Sequence, residues 1–304
     1  MRALIYIMTP ILILTFIFAS RFVTWEKLKG VDSAALEHLT HGTQLLRNGK
    51  SHKAISALTQ AIEIEPKYAE AYIKRGLAYY YLAYYKKAIA DYNQTLSLNE
   101  YSADAYASRG DAYLALGDET QAINDYTASL KKRKNALVMS KRANVYLETG
   151  KISEAIDDYS GIVKHRPTAI AYYNRGRAYY QKFLLSDKLD ETLKLALTDF
   201  DKAIEMLPNF AIAYLGRGDV HRDLGQQKSK ESDYSHAINL LTDAIQNWQN
   251  ESHELIPIFL WRAVAYKKSN YGDKALNDIQ KVYELFAQFY LKKIKIPDIL
   301  SNIH

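Results

Sequence analysis

Residues 69–100 read AEAYIKRGLAYYYLAYYKKAIADYNQTLSLNE, and the spacing within this stretch returns along most of the chain. A small residue, Gly76, precedes Tyr79 by three positions, Ala88 by twelve and Tyr92 by sixteen. The small position occurs seven times, at intervals of 34, 34, 33, 33, 42 and 45 residues. A period near 34 with this content predicts units of two short antiparallel helices, stacked into a solenoid. The seven small residues are Gly42, Gly76, Gly110, Ala143, Gly176, Gly218 and Ala263.

The other positions of the unit recur in register with the small residue. A tyrosine follows it three residues later in five units, and an alanine and then an aromatic residue mark most of the second helices. A proline closes three units, at Pro66, Pro167 and Pro208. This pattern resembles that of the tetratricopeptide repeat family, and the resemblance covers about residues 33–290. It implies an all-α chain that forms a right-handed α-solenoid of about seven helix-turn-helix units.

The register of the repeats divides the chain into segments. A hydrophobic segment, predicted as a helix, occupies residues 1–21, the solenoid residues 33–290, and a C-terminal cap or tail residues 291–304. Eight extra residues lie between Tyr179 and Ala196 in the fifth unit. Because they suit a helix, we expect both helices of that unit to be longer. The seven units lie near residues 35–68, 69–102, 103–135, 136–168, 169–210, 211–255 and 256–290.

The turn between the two helices of a unit carries a glycine in several repeats. Gly49, Gly117 and Gly150 stand there, and glycine can adopt the left-handed backbone conformation. In the second unit Ala83 takes this place. We therefore expect that turn to be stiffer or differently shaped.

The composition excludes several classes of function. The 304 residues include no cysteine, which rules out disulfides, thiolate metal sites and a cysteine nucleophile. The net charge of +6 is spread along the chain. Its densest basic run, residues 131–134, falls at the predicted end of a helix, where cations complement the helix dipole. We therefore expect no nucleic-acid partner.

No motif of a catalytic or cofactor site is present in the sequence. It contains no phosphate loop, no nucleophile elbow and no dinucleotide fingerprint. His38 and His41 are three residues apart on one predicted helix, but no third ligand lies at a fixed spacing from them. We expect no enzyme activity, no metal, no cofactor and no small-molecule substrate.

The N-terminal segment is strongly hydrophobic. Residues 3–20 read ALIYIMTPILILTFIFAS without a charged residue. This length lies at the lower edge of what spans a bilayer. Ala19 and Ser20 lack the small residue two positions earlier that signal cleavage requires, so we expect an uncleaved single-pass membrane anchor. The alternative is a cleaved signal peptide.

The orientation of this anchor stays open. Arg21, Lys27 and Lys29 follow the span and favour cytoplasmic repeats by the positive-inside rule. Bacterial-looking anchors of this kind often export the domain that follows them. We expect a bacterial inner-membrane protein with exported repeats, and a secreted or periplasmic protein as the alternative.

Two charged positions recur alongside the small and aromatic residues. Six units carry an arginine just before the small residue and an aspartate just before the aromatic position of the second helix. The first unit has His41 and Ala57 instead, so both charges are lost together. Pairing with the next unit would leave Arg75 and Asp278 unmatched, so we predict ion pairs within each unit. An anion-binding arginine stripe is the alternative. The predicted pairs are Arg75–Asp91, Arg109–Asp125, Arg142–Asp158, Arg175–Asp199, Arg217–Asp233 and Arg262–Asp278.

The resemblance implies a concave binding surface formed mostly by the first helix of each unit. In this sequence that surface mixes tyrosines and leucines with polar groups, which suits an extended peptide or a helix. The alternative for the tyrosines is packing against neighbouring helices. The predicted groove residues are Leu77, Tyr80, Tyr81, Asp111, Asn144, Tyr173, Arg177, Tyr180 and Arg222.

Some relatives clamp a terminal carboxylate with a lysine and two asparagines. Asn144 and Asn174 match the asparagines, but Ser140, Ile212 and Gly216 stand where the cations would be. The sequence departs from that kind of site. We therefore expect a non-catalytic, membrane-tethered scaffold that binds a protein or peptide in the groove. The alternative is a cleaved, secreted protein that acts on a foreign partner.

Overall fold

The structure, a computed structural model, describes residues 31–185, 191–249 and 252–294. Within these ranges the chain forms fourteen α-helices, one 3-10 turn at Ser252–Leu255 and no strand. The helices are α1 (Ser33–Arg47), α2 (Ser51–Ile64), α3 (Ala69–Tyr81), α4 (Tyr85–Leu98), α5 (Ala103–Ala115), α6 (Glu119–Lys132), α7 (Ala136–Glu148), α8 (Ile152–His165), α9 (Ala169–Leu184), α10 (Glu191–Met206), α11 (Ala211–Asp223), α12 (Gln227–Gln246), α13 (Ile256–Lys268) and α14 (Gly272–Ile294).

Two predicted segments fall wholly or partly outside this description. The hydrophobic helix of residues 1–21 lies outside the described residues. Of the cap at residues 291–304, the first four continue α14 and the rest lie outside the description. Among the helices of the described ranges, none combines the length and the apolar character that crossing a bilayer requires.

The chain divides into two compact units, Met1–Val138 (unit 1) and Met139–His304 (unit 2). In unit 1 each helix from α1 to α6 packs against the next, and in unit 2 the same holds from α8 to α14. First helices also touch first helices, because α1 contacts α3, α3 contacts α5, and α9 contacts α11. Within each unit the helical pairs predicted from the 34-residue period are confirmed.

Side chains mark where several helices begin and end. Ser102, Asp118 and Thr168 each precede a helix and accept a hydrogen bond from the backbone N–H three residues on. Such a cap contributes about 1 kcal/mol. The helix α2 ends at Ile64, two residues before Pro66, which cannot donate a backbone hydrogen bond.

At the small residue of the repeat, the backbone of the first helix lies directly against the aromatic side chain of the second. A Cβ atom on Gly110 would lie 2.8 Å from the Cε1 atom of Tyr126, whose side chain is fully buried. Gly76 and Tyr92 meet in the same way, at 2.6 Å. Burying a large aromatic side chain contributes roughly 1.5–3 kcal/mol, so the small and aromatic positions together join α5 to α6.

The turn at Ala83 has the shape of the glycine turns. Ala83 has φ 59°, and Gly117 at the same place in the next repeat has φ 78°. The hydrogen bonds also agree, because the N–H of Ala83 donates to Tyr80 O at 2.9 Å and that of Gly117 to Leu114 O at 3.0 Å. The expectation of a different shape is wrong, because the backbone hydrogen bonds impose the left-handed conformation on alanine as well.

Four helices of repeats five to seven are longer than those of the earlier repeats. The helices α9 and α10 have 16 residues each, whereas α5 has 13 and α6 has 14. The prediction that the insert lengthens both helices of repeat five is confirmed. The second helices of repeats six and seven, α12 and α14, reach 20 and 23 residues.

Candidate functional site

Each of the six recurring arginines lies against the aspartate of its own repeat. In repeat three, Arg109 Nε donates to Asp125 Oδ2 at 2.8 Å and Nη2 donates to Oδ1 at 2.7 Å. The other five pairs have the same two-point geometry, with distances of 2.6–3.1 Å. These are the partners that the joint loss of both charges in repeat one predicts. The aspartates are buried, so the pairs join the two helices from the inside.

The arginine also reaches the preceding repeat, which the sequence pattern does not reveal. Arg109 Nη1 donates to Asn93 Oδ1 on α4 at 2.6 Å. In repeat six, Arg217 Nη1 donates to Asp201 Oδ1 on α10 at 2.8 Å. One guanidinium therefore holds three helices together, two from its own repeat and one from the repeat before.

Aromatic rings cover the same guanidinium groups. Arg109 Cζ lies 5.5 Å from the ring centre of Tyr106 and 6.0 Å from that of Tyr113. The arginines of repeats two, five and seven lie between two aromatic rings in the same way. The tyrosine three residues after the small residue thus has a structural role, as a cation–π partner of the arginine.

Burial and pairing act on these groups in opposite directions. The hydrogen bond to Asp125 is the main cause that raises the pKa of Arg109. In repeat five, burial raises the pKa of the Asp199 carboxyl, although Arg175 opposes the change. The pairs therefore fix the geometry of the helices, while desolvation offsets much of their attraction. Because their guanidinium donors are used inside the solenoid, these arginines do not form an anion-binding stripe.

The residue after the small position holds a tyrosine hydroxyl in three repeats. A buried tyrosine needs a hydrogen-bond partner, and the first helix supplies a carboxylate or amide oxygen. Asp111 and Asn144, which the sequence places in the groove, both serve in this way. The three bonds are Tyr126 OH to Asp111 Oδ1 at 2.8 Å, Tyr159 OH to Asn144 Oδ1 at 2.6 Å and Tyr234 OH to Asp219 Oδ1 at 2.7 Å.

The predicted groove residues of unit 1 lie on a face rich in tyrosine. The Tyr80 ring packs against those of Tyr81 and Tyr85, with ring centres 6.2 and 5.5 Å apart. Burial, followed by the charge of Asp111, raises the pKa of Tyr80. Leu77 is half-buried, whereas Tyr81 is 61% exposed. On this face Tyr80 has the packing role and Tyr81 is open to solvent.

In unit 2, three predicted groove residues line one cavity of about 230 Å³. Tyr173, Arg177 and Tyr180 project into it from α9. The other walls come from α10, α11 and α13, so the cavity lies among repeats five, six and seven. Gly216 permits the close approach of α11, because a Cβ atom there would lie 2.7 Å from the Phe200 ring. The remaining lining residues are Ile212, Leu215, Asp219, Trp261, Val264 and Lys268.

Most charges around this cavity are paired. Lys268 Nζ donates to both oxygens of Asp219, at 2.7 and 2.8 Å. Arg222 Nε donates to Asp223 Oδ1 at 2.8 Å, and its Nη2 donates to the Tyr180 hydroxyl at 2.8 Å. The Tyr180 hydroxyl donates in turn to Asp223 Oδ2 at 2.6 Å. Arg222, a predicted groove residue, is thus part of a structural network.

This network fixes the protonation of its members. Burial, followed by the hydrogen bond to Asp223, raises the pKa of Tyr180. Burial alone would raise the pKa of Asp223, but the hydrogen bonds from Arg222 and Tyr180 outweigh it, and the pKa is lowered. Near neutral pH the wall therefore holds a neutral tyrosine and an ionised aspartate.

Arg177 is the exception among the charged lining residues. Across the described ranges it forms no ion pair and donates no hydrogen bond, and its Cζ lies 5.9 Å from the ring centre of Tyr173. The lining contains two cations, Arg177 and Lys268, and one anion, Asp219, which leaves one net positive charge. Since Lys268 neutralises Asp219, Arg177 carries that charge.

Sequence reasoning missed the lining residues from repeat seven. Val264 follows its small residue as Arg177 and Asp219 follow theirs, so the repeat register could have found it. Lys268 likewise stands five residues after its small residue, as Tyr81 does in repeat two, whereas Trp261 has no equivalent in the predicted groove. The bond from Lys268 to Asp219 joins residues 49 positions apart and depends on how three repeats are placed.

Comparison with known families agrees with the geometry. A family model described as TPR repeat matches residues 42–82, and one described as tetratricopeptide repeat matches residues 73–136 and 140–185. This chain carries tetratricopeptide repeats. The resemblance read from the small and aromatic positions is confirmed.

Solved tetratricopeptide repeat structures share the fold. A protein from Parabacteroides merdae is 16% identical, with a TM-score of 0.63, and the match covers 84% of this chain and 94% of that one. The C-terminal part of a repeat protein from Cytophaga hutchinsonii is 21% identical, with a TM-score of 0.58 and coverage of 81% and 95%. YrrB, described as a TPR protein with an unusual peptide-binding site, is 20% identical, with a TM-score of 0.53 and coverage of 62% and 93%. Among curated protein sequences no match is found.

Proposed function

We propose that this chain is a non-catalytic scaffold that binds an extended segment of a partner protein in the cavity of unit 2. The observation that carries the proposal is the cavity itself, where apolar and aromatic residues surround one unpaired cation. Its volume of about 230 Å³ is below the roughly 300–1,000 Å³ of cavities for drug-sized molecules. It suits one or two side chains of a peptide, held by aromatic anchors.

Two further observations support a peptide as the occupant. Trp261 and Val264 are 42% and 38% exposed, so a ligand that covers them gains apolar burial. YrrB, which shares the fold, is described as having a peptide-binding site. Tetratricopeptide repeats thus offer a scaffold on which such a site can be built.

The test fills the cavity without disturbing the core. Val264→Trp places a large ring on an exposed lining position of α13, and Leu260→Trp adds the same ring at an exposed position of α13 outside the lining. The full chain in detergent would be screened against a displayed library of random twelve-residue peptides. Affinities of the selected peptides would then be measured by fluorescence polarisation.

Val264→Trp is expected to weaken binding at least about tenfold, a difference of about 1.4 kcal/mol, and Leu260→Trp to leave it within about twofold. Equal affinities for both variants would show that the cavity is not the site. The absence of any selected peptide would overturn the proposal. Thermal unfolding of both variants serves as the control for folding.

We also propose that residues 3–20 tether the repeats to a bacterial inner membrane, with the repeats exported. The support is the run of eighteen residues without a charge. Mass spectrometry of the mature protein, with protease treatment of intact cells after removal of the outer membrane, tests this. Retention of Met1–Ser20 with cleavage of the repeats is expected. A mature start near Arg21 would indicate a secreted form, and protection from protease would indicate cytoplasmic repeats.

A further inference from the structure

We infer that the segment bound in this cavity is acidic: an aspartate or glutamate side chain meets Arg177 beside an apolar residue that enters the cavity. The inference rests on the proposed function and adds the chemistry of the partner. It follows from the one cation of the lining that has no carboxylate within the described part of the chain.

The charge balance of the cavity favours a carboxylate. Lys268 is held by both oxygens of Asp219 and Arg222 by Asp223, so neither needs an added anion. Arg177 retains its full set of donors, and a guanidinium can receive a carboxylate through two parallel hydrogen bonds. A basic segment would instead bring a like charge to Arg177, so the same residue excludes it.

The guanidinium of Arg177 is also held in place before a ligand binds. Its Cζ lies 5.9 Å from the Tyr173 ring centre. Tyr173 is itself fixed, because its ring centre lies 5.9 Å from that of Phe200 and 5.2 Å from that of Phe210, and only 8% of the residue is exposed. A guanidinium resting on a fixed ring loses less freedom when it binds a carboxylate than a free one does.

The rest of the lining indicates which kind of residue stands next to the acidic residue in the bound segment. Tyr180, Trp261 and Val264 offer ring and methyl surface to the cavity, and the charges near them are already paired. An apolar side chain next to the acidic one would bury this surface. The predicted ligand is therefore an extended segment with adjacent acidic and apolar residues.

The experiment uses the same displayed library and changes one charge at a time. Arg177→Gln removes the unpaired cation, and Arg166→Gln removes the same charge from an exposed position of unit 2 that does not line the cavity. Arg177→Glu reverses the charge. The peptides are displayed through their carboxyl ends, so any carboxylate they offer comes from a side chain.

Wild type and Arg166→Gln are expected to enrich Asp or Glu beside an apolar residue. Arg177→Gln should keep the apolar preference and lose the acidic one, and Arg177→Glu should enrich Lys or Arg. In a synthetic peptide, changing the selected Glu to Gln should weaken binding to wild type about tenfold and to Arg177→Gln less than about twofold.

Two results would separate this inference from the proposed function. If Arg177→Gln selects the same acidic peptides as wild type while Val264→Trp blocks binding, the cavity binds peptides but Arg177 does not choose them. If Val264→Trp leaves binding unchanged, the proposed function fails and the inference fails with it. Selection of peptides without any acidic preference by wild type would also overturn the inference.

Discussion

Repeat three and repeat five share one framework and use it differently. Both have an arginine on the first helix bonded at two points to an aspartate on the second, flanked by two tyrosines. Repeat three has Tyr126, whose hydroxyl donates to Asp111. Repeat five has Phe200, which has no hydroxyl, and Arg177 stands where Asp111 would be.

The difference shows which positions of the repeat are fixed and which are free. The arginine–aspartate pair is present in both repeats and holds their helices. In repeats three, four and six the residue after the small position accepts a hydrogen bond from the tyrosine that faces it, as Asp111 does, whereas in repeat two Leu77 offers no acceptor to Tyr92. Where a phenylalanine faces it, as in repeat five, that residue has no hydroxyl to bind, and Arg177 stands there instead of an acceptor. Loss of one hydroxyl in the second helix thus accompanies a cation on the first that has no ion pair within the described ranges.

The largest effect on stability should come from breaking the arginine–aspartate pair that both repeats share. Arg109→Ala leaves the Asp125 carboxylate buried without its partner, which costs about 3 kcal/mol of unfolding free energy. Arg175→Ala should cost a similar amount in repeat five. Chemical denaturation of the full chain in detergent measures both. Lys131→Ala, at an exposed position of repeat three, is the control and should change stability by less than about 0.5 kcal/mol.

A charge swap sharpens this prediction. Arg109→Asp combined with Asp125→Arg restores an ion pair between α5 and α6, so the double variant should be more stable than either single variant. A double variant no more stable than the singles would mean that the two residues act independently.

The tyrosine of repeat four should make stability sensitive to alkaline pH. Burial, opposed in part by Arg177, raises the pKa of Tyr159 to about 12 from an ordinary value of 10.0. Because the folded value is the higher one, the protonated hydroxyl stabilises the fold fully below pH 10, and this contribution is lost as the pH rises toward 12. A pKa that is higher by about two in the folded state than in the unfolded state corresponds to about 2–3 kcal/mol of unfolding free energy.

Tyr159→Phe places in repeat four the aromatic residue that repeat five has, and should remove this part of the alkaline loss. Denaturation curves at pH 8 and pH 11 measure the difference between wild type and variant. The other buried tyrosines ionise at high pH in both proteins and destabilise both alike, so the difference between the two proteins isolates the effect of Tyr159. Identical losses for both would show that the Tyr159 hydroxyl is not protected by burial.

Giving repeat five the aromatic residue and the facing acceptor of repeat three should have a smaller effect on stability. Phe200→Tyr places a buried hydroxyl opposite Arg177, which offers donors but no acceptor, and should cost about 1 kcal/mol. Adding Arg177→Asp supplies the acceptor found in repeat three and should recover most of that loss. Thermal unfolding measures both variants. A double variant less stable than Phe200→Tyr alone would show that the residue after the small position does not select the aromatic residue.

Some of these features could be predicted fully from the sequence, and others only in part. The close approach of α5 and α6 and the pairing of Arg109 with Asp125 follow from spacing, because both recur in register and are lost together in repeat one. The link between Tyr126 and Asp111 also left a signal, since a polar acceptor accompanies the tyrosine in three repeats and not the phenylalanine of repeat five. The sequence nevertheless predicts Asp111 in the groove, because periodicity shows which face of a helix a residue occupies and not which side chain it contacts.

The cavity could not be predicted in the same way. Repeats five to seven are spaced by 42 and 45 residues, so α9, α10, α12 and α14 are longer and the relative placement of these repeats does not follow from a constant period. The contact between Lys268 and Asp219 depends on that placement. Whether Arg177 forms an ion pair depends on all the side chains that surround it. Only the structure shows that no carboxylate in the described ranges reaches it.

The smallest effect concerns the turn of repeat two, where the fold imposes its shape against the local preference of the residue. Ala83 adopts φ 59°, a conformation that costs an L-residue about 1 kcal/mol and glycine almost nothing. Ala83→Gly should therefore relieve strain, although glycine adds freedom to the unfolded chain, and the net gain should be about 0.5 kcal/mol. Gly117→Ala in repeat three should lose a similar amount, so the two variants should move in opposite directions in the same denaturation experiment. If Ala83→Gly destabilises the chain as Gly117→Ala does, the methyl group of Ala83 contributes more than its backbone strain costs.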